Sequence, residues 1–334
     1  MNQAIEDPVR TPVTLRELYA PIQPGLDEVE RIFREELRSD HPFVEGLVRH
    51  GFRLGGKRLR PALVLLCGGA CGELRPEHYR AAAAVEMIHT ATLVHDDVLD
   101  EATIRRHLDT VNARWDNETS VLLGDYLLAR SLCLATSLDD LFACRTIAEA
   151  SRSMCEGELR QIESRGNYAL TEQEYVDIIA GKTAALTACC CRLGAYYADA
   201  EPAVVESLTR YGLNLGIAFQ IADDLLDVLG DEAIVGKSLG TDLLKQKSTL
   251  PLIRLLSRAE AADRSELIAL LTGSENHHRD VLRAWCDRSD ALEYTREKAV
   301  WYARRASKEL ECLPASAACD ALLGLTEFVV NRQQ

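Results

Sequence analysis

The 334-residue sequence is poor in aromatic residues: Phe, Trp and Tyr together make up 6%. Interior prolines are sparse, and runs that alternate apolar with polar residues are hard to find. Those absences argue against a β-rich core. What remains is an all-α expectation, because abundant Ala and Leu at roughly 3.6-residue periodicity favour helix. Eleven cysteines, an odd number, contain no Cys-x-x-Cys pair, so neither a disulfide framework nor a zinc site is expected. Cys189-Cys190-Cys191 reads as a set of small packing residues in a reducing cytoplasm. The N-terminus lacks a basic, apolar leader, and no uninterrupted apolar run is expected to cross a membrane. No Ser/His/Asp or Cys/His arrangement stands out as a nucleophilic centre. Lys and Arg number 38 against 52 Asp and Glu, and the net charge of −14 argues against nucleic acid as a partner.

What is present is aspartate at helical spacing. Asp96-Asp97-Val98-Leu99-Asp100 and Asp223-Asp224-Leu225-Leu226-Asp227 both read DDxxD, and each interrupts an apolar, helix-forming run. Residues i and i+4 share a helix face, so Asp96 pairs with Asp100 and Asp223 with Asp227. Like charges stacked about 6 Å apart are costly to bury unless cations neutralise them. Mg²⁺ suits such a site, since it takes a few carboxylate oxygens and completes its shell with water and phosphate. One such cluster alone is as readily a solvated patch. Two with similar apolar flanks point to a site.

Cations follow in three groups. Lys57, Arg58 and Arg60 lie in the segment 55–61, GGKRLRP, where Pro61 predicts the first position of a helix. Free N–H groups there, with these side chains, would cradle a diphosphate. Arg105 and Arg106 follow the first acidic cluster, and arginine pairs with phosphate through its planar fork. Gly236 to Ser248 reads as a loop bearing Lys237, Lys245 and Lys247, able to cover an anionic substrate. Lys182-Thr183 comes after Gly181, which interrupts another helical stretch.

Taken in order, six segments resemble the trans-isoprenyl diphosphate synthases, the polyprenyl synthetase family. They are 55–61 (GGKRLRP), 86–107 (EMIHTATLVHDDVLDEATIRRH), 124–130 (GDYLLAR), 181–186 (GKTAAL), 219–227 (FQIADDLLD) and 236–252 (GKSLGTDLLKQKSTLPL). The resemblance implies an all-α bundle around a deep central cavity, with the two Asp clusters facing each other across its mouth. By the same resemblance Asp96, Asp97, Asp100, Asp223 and Asp227 are metal ligands, with Asp224 in support, for Mg²⁺, three ions once substrate is bound. Lys57, Arg60, His89 and Arg106 would hold isopentenyl diphosphate. Arg105, Lys182, Thr183, Gln220, Lys237 and Lys247 would contact the allylic diphosphate, and Lys182 and Lys237 count with the aspartates as catalytic. The implied reaction ionises the allylic diphosphate and condenses the cation with isopentenyl diphosphate. A homodimer and transient contact with a membrane surface also follow from the resemblance.

In this family a bulky aromatic just before the first DDxxD stops elongation. Here Ala91 and Thr92 occupy that place, with Ala84 and Met87 further back, and no Phe, Tyr or Trp lies between Arg80 and Trp115. The expectation is a long product, hexaprenyl to decaprenyl, with the tunnel floor in Leu127 to Leu134; geranylgeranyl is the nearest alternative. A terpene cyclase or head-to-head coupling enzyme has no use for GGKRLRP and the arginine pair. A subunit of a heteromeric synthase would be expected to have lost site residues, and none is missing. Two departures stand out: His107 where the family commonly has glycine, and Lys245-Gln246 where an acidic, glycine-bearing stretch is frequent. Residues 1–25, with four prolines, read as an irregular arm plus one short helix, and 26–334 as a single domain. Gly166 to Leu170 and Asn276 to Arg279 read as turns, followed by amphipathic helices suited to packing.

Overall fold

Alanine decides how closely the central helices approach. The computed structural model describes residues 14–53, 56–138, 140–229, 241–272 and 278–331, the side chains of Thr241, Leu244 and His278 excepted. In chain order the helices are α1 (Leu15–Tyr19), α2 (Gln23–Glu36), α3 (Pro42–Arg53), α4 (Leu59–Cys71), α5 (Pro76–Leu99), α6 (Val111–Arg114), α7 (Asn117–Thr136), α8 (Leu141–Glu163) and α9 (Glu172–Ile179). They continue as α10 (Ala185–Tyr197), α11 (Pro202–Leu229), α12 (Thr241–Leu244), α13 (Leu250–Arg258), α14 (Ala261–Thr272), α15 (His278–Cys286), α16 (Ala291–Glu309) and α17 (Ala317–Asn331). The expected all-α class is what the chain adopts.

The 24-residue α5, about 36 Å long, packs against α2, α4, α7 and α10, and its Ala81 to Ala84 are fully buried. The 28-residue α11 lies against α10 and α16. Cys189, Cys190 and Cys191 are buried in the main core, where burial pushes the Cys189 thiol up to about 12. All eleven cysteines are free.

Four expectations need correction. The N-terminal arm is helical from Leu15, with Leu18, Tyr19, Ile22 and Leu26 buried in the main core. Pro21 and Pro24 sit in the first turns of their helices, where a missing N–H costs nothing. The basic segment enters α4 at Leu59, so Pro61 is the third residue of the helix and Arg60 lies inside it. Glu172–Tyr197 is long and apolar enough to cross a membrane by composition, with mean hydropathy 1.2, but 72% of that window is buried in the protein. It is a core helix. The turn expected at Asn276 to Arg279 falls partly outside the described residues, and Arg279 already belongs to α15.

Two local departures from α-helix bear on function. Between α9 and α10 the chain makes a π-helical turn, Ala180–Ala184, which carries Lys182 and Thr183. Gly157 of α8 packs against its backbone so tightly that a Cβ would collide with the Lys182 N–H. After α5 the chain forms a hairpin, β1 (Ile104–Arg105) and β2 (Leu108–Asp109), paired antiparallel. Its turn residues Arg106 and His107 have φ of 51° and 63°. A two-residue turn of this kind needs positive φ at both positions, which explains why glycine suits the place that His107 fills.

Candidate active site

At about 100° per residue, α5 presents three faces that matter. Val85, His89, Thr92 and Asp96 share one. Ala84, Ile88, Ala91 and His95 share the next, turned to α7: Ser131 Oγ donates to the Ala84 carbonyl at 3.0 Å, and His95 meets Gly124. Glu86, Thr90 and Asp97 make the third, where Glu86 binds Arg58 at 2.9 Å and Asp97 binds Arg105 at 2.8 Å. Met87, nine residues before Asp96, lies half a turn from it and is fully buried. Its expected place on the tunnel face is therefore corrected. Thr92 remains on that face, and Ala91 sits on its flank toward α7.

The same arithmetic separates the aspartates of the first motif. Asp96 is half-buried, and burial pushes its carboxyl up to about 6; Glu158 and Asp100 add to this, while Lys182 opposes it. Asp100 caps the C-terminus of α5. Burial would raise it, yet the bond from Lys245, with the charges of Lys247 and Lys182, holds it below the usual range. Asp97 is 1% exposed and turned away, and its Oδ1 accepts from both Nε and Nη2 of Arg105 at 2.8 Å. It was expected among the metal ligands. The structure makes it a fastening between helix and hairpin, and Arg105 is committed to it.

On the opposite wall, α11 brings Gln220, Asp223, Asp224 and Asp227 along one side. Asp224 accepts from Tyr175 Oη at 2.6 Å and from Gln220 Nε2 at 2.8 Å. Burial pushes its carboxyl up to about 7, and Asp242 adds to this. The Asp227 side chain is buried, and its carbonyl accepts from Arg279 Nε at 3.1 Å. Lys182 stands between the walls, bonded to Glu158 and Gln161 Oε1, both at 2.6 Å. Lys247 pairs with Asp242 at 3.2 Å. Burial would lower the Lys247 ammonium, but Asp242 and Asp100 raise it. The cleft holds about 430 Å³, with Lys182, Gln220, Asp224, Asp242 and Lys247 in its lining. Lys245 reaches across to Asp100. Lys237 lies outside the described residues.

A basic region adjoins this cleft. Arg60 lines a second cavity of about 290 Å³ with Thr183, Thr187 and Phe219, and its buried Nε has no hydrogen-bond partner. Burial holds His89 well below its usual value, helped by the charges of Arg60, Arg106, Arg105 and Arg58. It is therefore a neutral ring among cations. Gly56 lies under the Arg106 guanidinium, so closely that a Cβ would clash. The Lys57 ammonium stands 5.9 Å from the centre of the Phe328 ring. Arg60, His89 and Arg106 come together as expected, with Lys57 at the rim. Arg58 does not join them: it is bonded to Glu30 at 2.6 Å and to Glu86, and stacked on Phe52. It holds α2, α4 and α5 together.

Among the described residues, no three His, Cys, Asp or Glu side chains close on a metal by themselves. Hard carboxylates set in pairs on two walls fit Mg²⁺, which leaves most of its shell to water and phosphate. Sequence reasoning missed Glu158, Gln161, Tyr175 and Asp242. A signal existed for three of them: Glu158 and Gln161 stand three apart on one face of α8, and Tyr175 lies two turns before Lys182.

Carboxylates placed to gather cations beside arginines placed to gather anions serve the handling of diphosphates, and the enzyme class is trans-prenyltransferase. The chain belongs to the polyprenyl synthetase family, whose model matches residues 41–287. It is 37% identical to the all-trans-nonaprenyl-diphosphate synthase (geranyl-diphosphate specific) of Rhodobacter capsulatus, over 96% of this chain and 98% of that one. It is 36% identical to the geranylgeranyl diphosphate synthase of Saccharolobus solfataricus, over 89% and 93% respectively. Among solved structures, a decaprenyl diphosphate synthase from Rhodobacter capsulatus superposes with a TM-score of 0.90 at 38% identity, covering 96% of this chain and 100% of that one.

Proposed function

We propose that the protein extends an allylic diphosphate with isopentenyl diphosphate to an all-trans polyprenyl diphosphate of hexaprenyl to decaprenyl length. The observation that carries this reading is the pairing of the two regions: Asp96, Asp100, Asp223 and Asp227 on facing walls, beside Arg60, Arg106 and His89 in the adjoining basic region. Asp96, Asp100, Asp223 and Asp227 would hold Mg²⁺, three ions in the loaded site. Bound there, the metal supplies electrophilic stabilisation of the departing diphosphate. Lys182 and Lys247, half-buried beside the carboxylates, add fixed positive charge where the leaving group develops its own. Arg60, Arg106, His89 and Lys57 hold isopentenyl diphosphate so that its double bond faces the allylic carbon. Loss of a proton then forms the trans double bond.

Product length rests on Ala91 and Thr92, which leave the first turn below Asp96 without an aromatic side chain. Overall identity does not separate long products from geranylgeranyl, since relatives of both names match to a similar degree. Replacing Thr92 with Phe is expected to shorten the product by several isoprene units. A second copy of the chain is the expected partner: Val121, Leu122 and Leu132 on α7 and Leu159 on α8 leave large apolar side chains exposed. A cytoplasmic location and brief contact with a membrane that receives the product complete the reading.

The test is an assay of purified protein with Mg²⁺, labelled isopentenyl diphosphate and farnesyl diphosphate, with products resolved by length. Long polyprenols are the expected result. Geranylgeraniol alone would overturn the chain-length reading and keep the chemistry. Absence of elongation with any allylic primer, in folded protein, would overturn the homomeric synthase.

A further inference from the structure

A relay of hydrogen bonds stands behind the second Asp cluster, and neither metal nor diphosphate binding accounts for where it starts. Tyr175 is 4% exposed, and its hydroxyl donates to Asp224 Oδ2 at 2.6 Å. Gln220 Nε2 donates to the other oxygen of the same carboxylate at 2.8 Å. Thr183 Oγ1 donates in turn to Gln220 Oε1 at 2.8 Å. Each link orients the next. Turning the Gln220 amide over would set its Oε1 against the Asp224 carboxylate oxygen, so its plane is fixed. The Thr183 hydroxyl hydrogen is thereby committed in one direction.

The relay also lies between two spaces. Tyr175, Gln220 and Asp224 line the lysine-bearing cleft, whereas Thr183 lines the cavity with Arg60. With one carboxylate oxygen taken by Tyr175 and the other by Gln220, Asp224 is engaged away from any metal. Asp223 and Asp227 flank it on the same helix, so a bond that holds Asp224 also sets the rotation at which those two are presented.

We infer that Tyr175 is a positioning residue of the active site. Its hydroxyl holds Asp224, and through it orients Gln220 and Thr183 toward the allylic diphosphate and Asp223 and Asp227 toward the metal. This inference rests on the proposed function. A tyrosine needed only to fill space in its apolar surroundings would accept phenylalanine without consequence.

The experiment compares Tyr175→Phe with wild type in steady-state kinetics and in calorimetric binding of inorganic diphosphate with Mg²⁺. Tyr175→Phe is expected to lower kcat by about tenfold and to raise KM for the allylic substrate, leaving KM for isopentenyl diphosphate within about twofold. Combined with Thr183→Val, it should add little to the loss that Thr183→Val causes alone. Should Tyr175→Phe fold poorly, Asp224→Asn breaks the same link and carries the same expectations. Unchanged kinetics in Tyr175→Phe, equal changes in both KM values, or fully additive losses would overturn the inference while leaving the synthase reading intact. An inactive wild type that still binds diphosphate with Mg²⁺, with binding weakened about tenfold by Tyr175→Phe, would overturn the synthase reading and keep the positioning role.

Discussion

The two DDxxD motifs are alike in sequence and differ in how they are anchored. In the first, Asp97 binds a charged partner eight residues on, the Arg105 guanidinium of the hairpin. In the second, Asp224 binds two neutral donors, the Tyr175 hydroxyl and the Gln220 amide. The first motif ends its helix, with Asp100 as the C-cap, whereas α11 continues to Leu229 beyond the second. In both, the middle aspartate fastens the wall. What differs is the fastening: an ion pair ties one wall to a surface hairpin, and a buried relay of uncharged donors ties the other to α9 and the π-turn. A repeated motif is thus one local solution for presenting carboxylates, supported by two unrelated surroundings.

The comparison breaks most visibly at the outer aspartates. Asp96→Asn and Asp223→Asn should each lower kcat by about 10²–10³, with little change in thermal midpoint. If one were silent in the elongation assay, the two walls would not share the work. The middle pair should diverge. Asp97→Ala leaves Arg105 without its partner, and breaking such a pair costs about 2 kcal/mol once the partial exposure of Arg105 is allowed for. Asp224→Asn keeps one acceptor oxygen and loses a bond from an uncharged donor, about 1 kcal/mol, yet should depress turnover by about tenfold. Denaturant unfolding and kinetics on the two variants together test that crossing of effects. If stability and activity fall in parallel in both, the two fastenings are equivalent after all.

A smaller effect belongs to the first wall alone. Lys245 neutralises Asp100 where a metal would otherwise do so. Lys245→Gln should therefore tighten binding of Mn²⁺ to the substrate-free protein by about threefold, read by electron paramagnetic resonance. Weaker binding would show that Lys245 organises the site and does not compete for it. The smallest effect is on acid stability without metal. Asp96, near 6, and Asp224, near 7, bind a proton more readily folded than unfolded, so protonation of either favours the fold. The Asp224 share, read as the difference between wild type and Asp224→Asn, should grow as pH falls from about 8 through 6, by roughly 2–4 °C in thermal midpoint, while His89 and His78, held below their usual values, act against it over the same window. Asp100 also acts in the opposite sense, because its lowered value gives stability that is lost only at more acidic pH. A difference that shrinks between pH 8 and 6 would contradict the raised value at Asp224.

Much of the site was legible because helical spacing is a local property. The pairs Asp96/Asp100 and Asp223/Asp227, and the succession Lys182-Thr183, could be read from a few neighbouring residues. The partners of the middle aspartates could not, since Tyr175 lies forty-nine residues from Asp224 and nothing in the spacing joins them. Arg58 misled for the opposite reason. It stands beside Lys57 and Arg60 in GGKRLRP, but a positive φ at its own position turns it toward Glu86 and Glu30. The N-terminal prolines read as breaks because their place within a helical turn depends on where that turn starts. The hairpin went unseen because strands of two residues carry no pattern.

The π-helical turn at Ala180–Ala184 has a consequence for anyone who would shorten or stabilise this protein. Its extra residue interrupts an otherwise continuous run from Glu172 to Tyr197. Removing one residue would let α9 and α10 join as a regular helix, with better hydrogen-bond geometry than the turn it replaces. Because the π-turn already spreads that extra residue over one turn, α9 and α10 would keep their phase, and only the side chains within the turn would shift. Tyr175 would stay against Asp224 while Thr183 lost its place beside Gln220. The molecule would gain regular helix and lose the local setting of Lys182 and Thr183, and selection for thermal stability alone would favour that form.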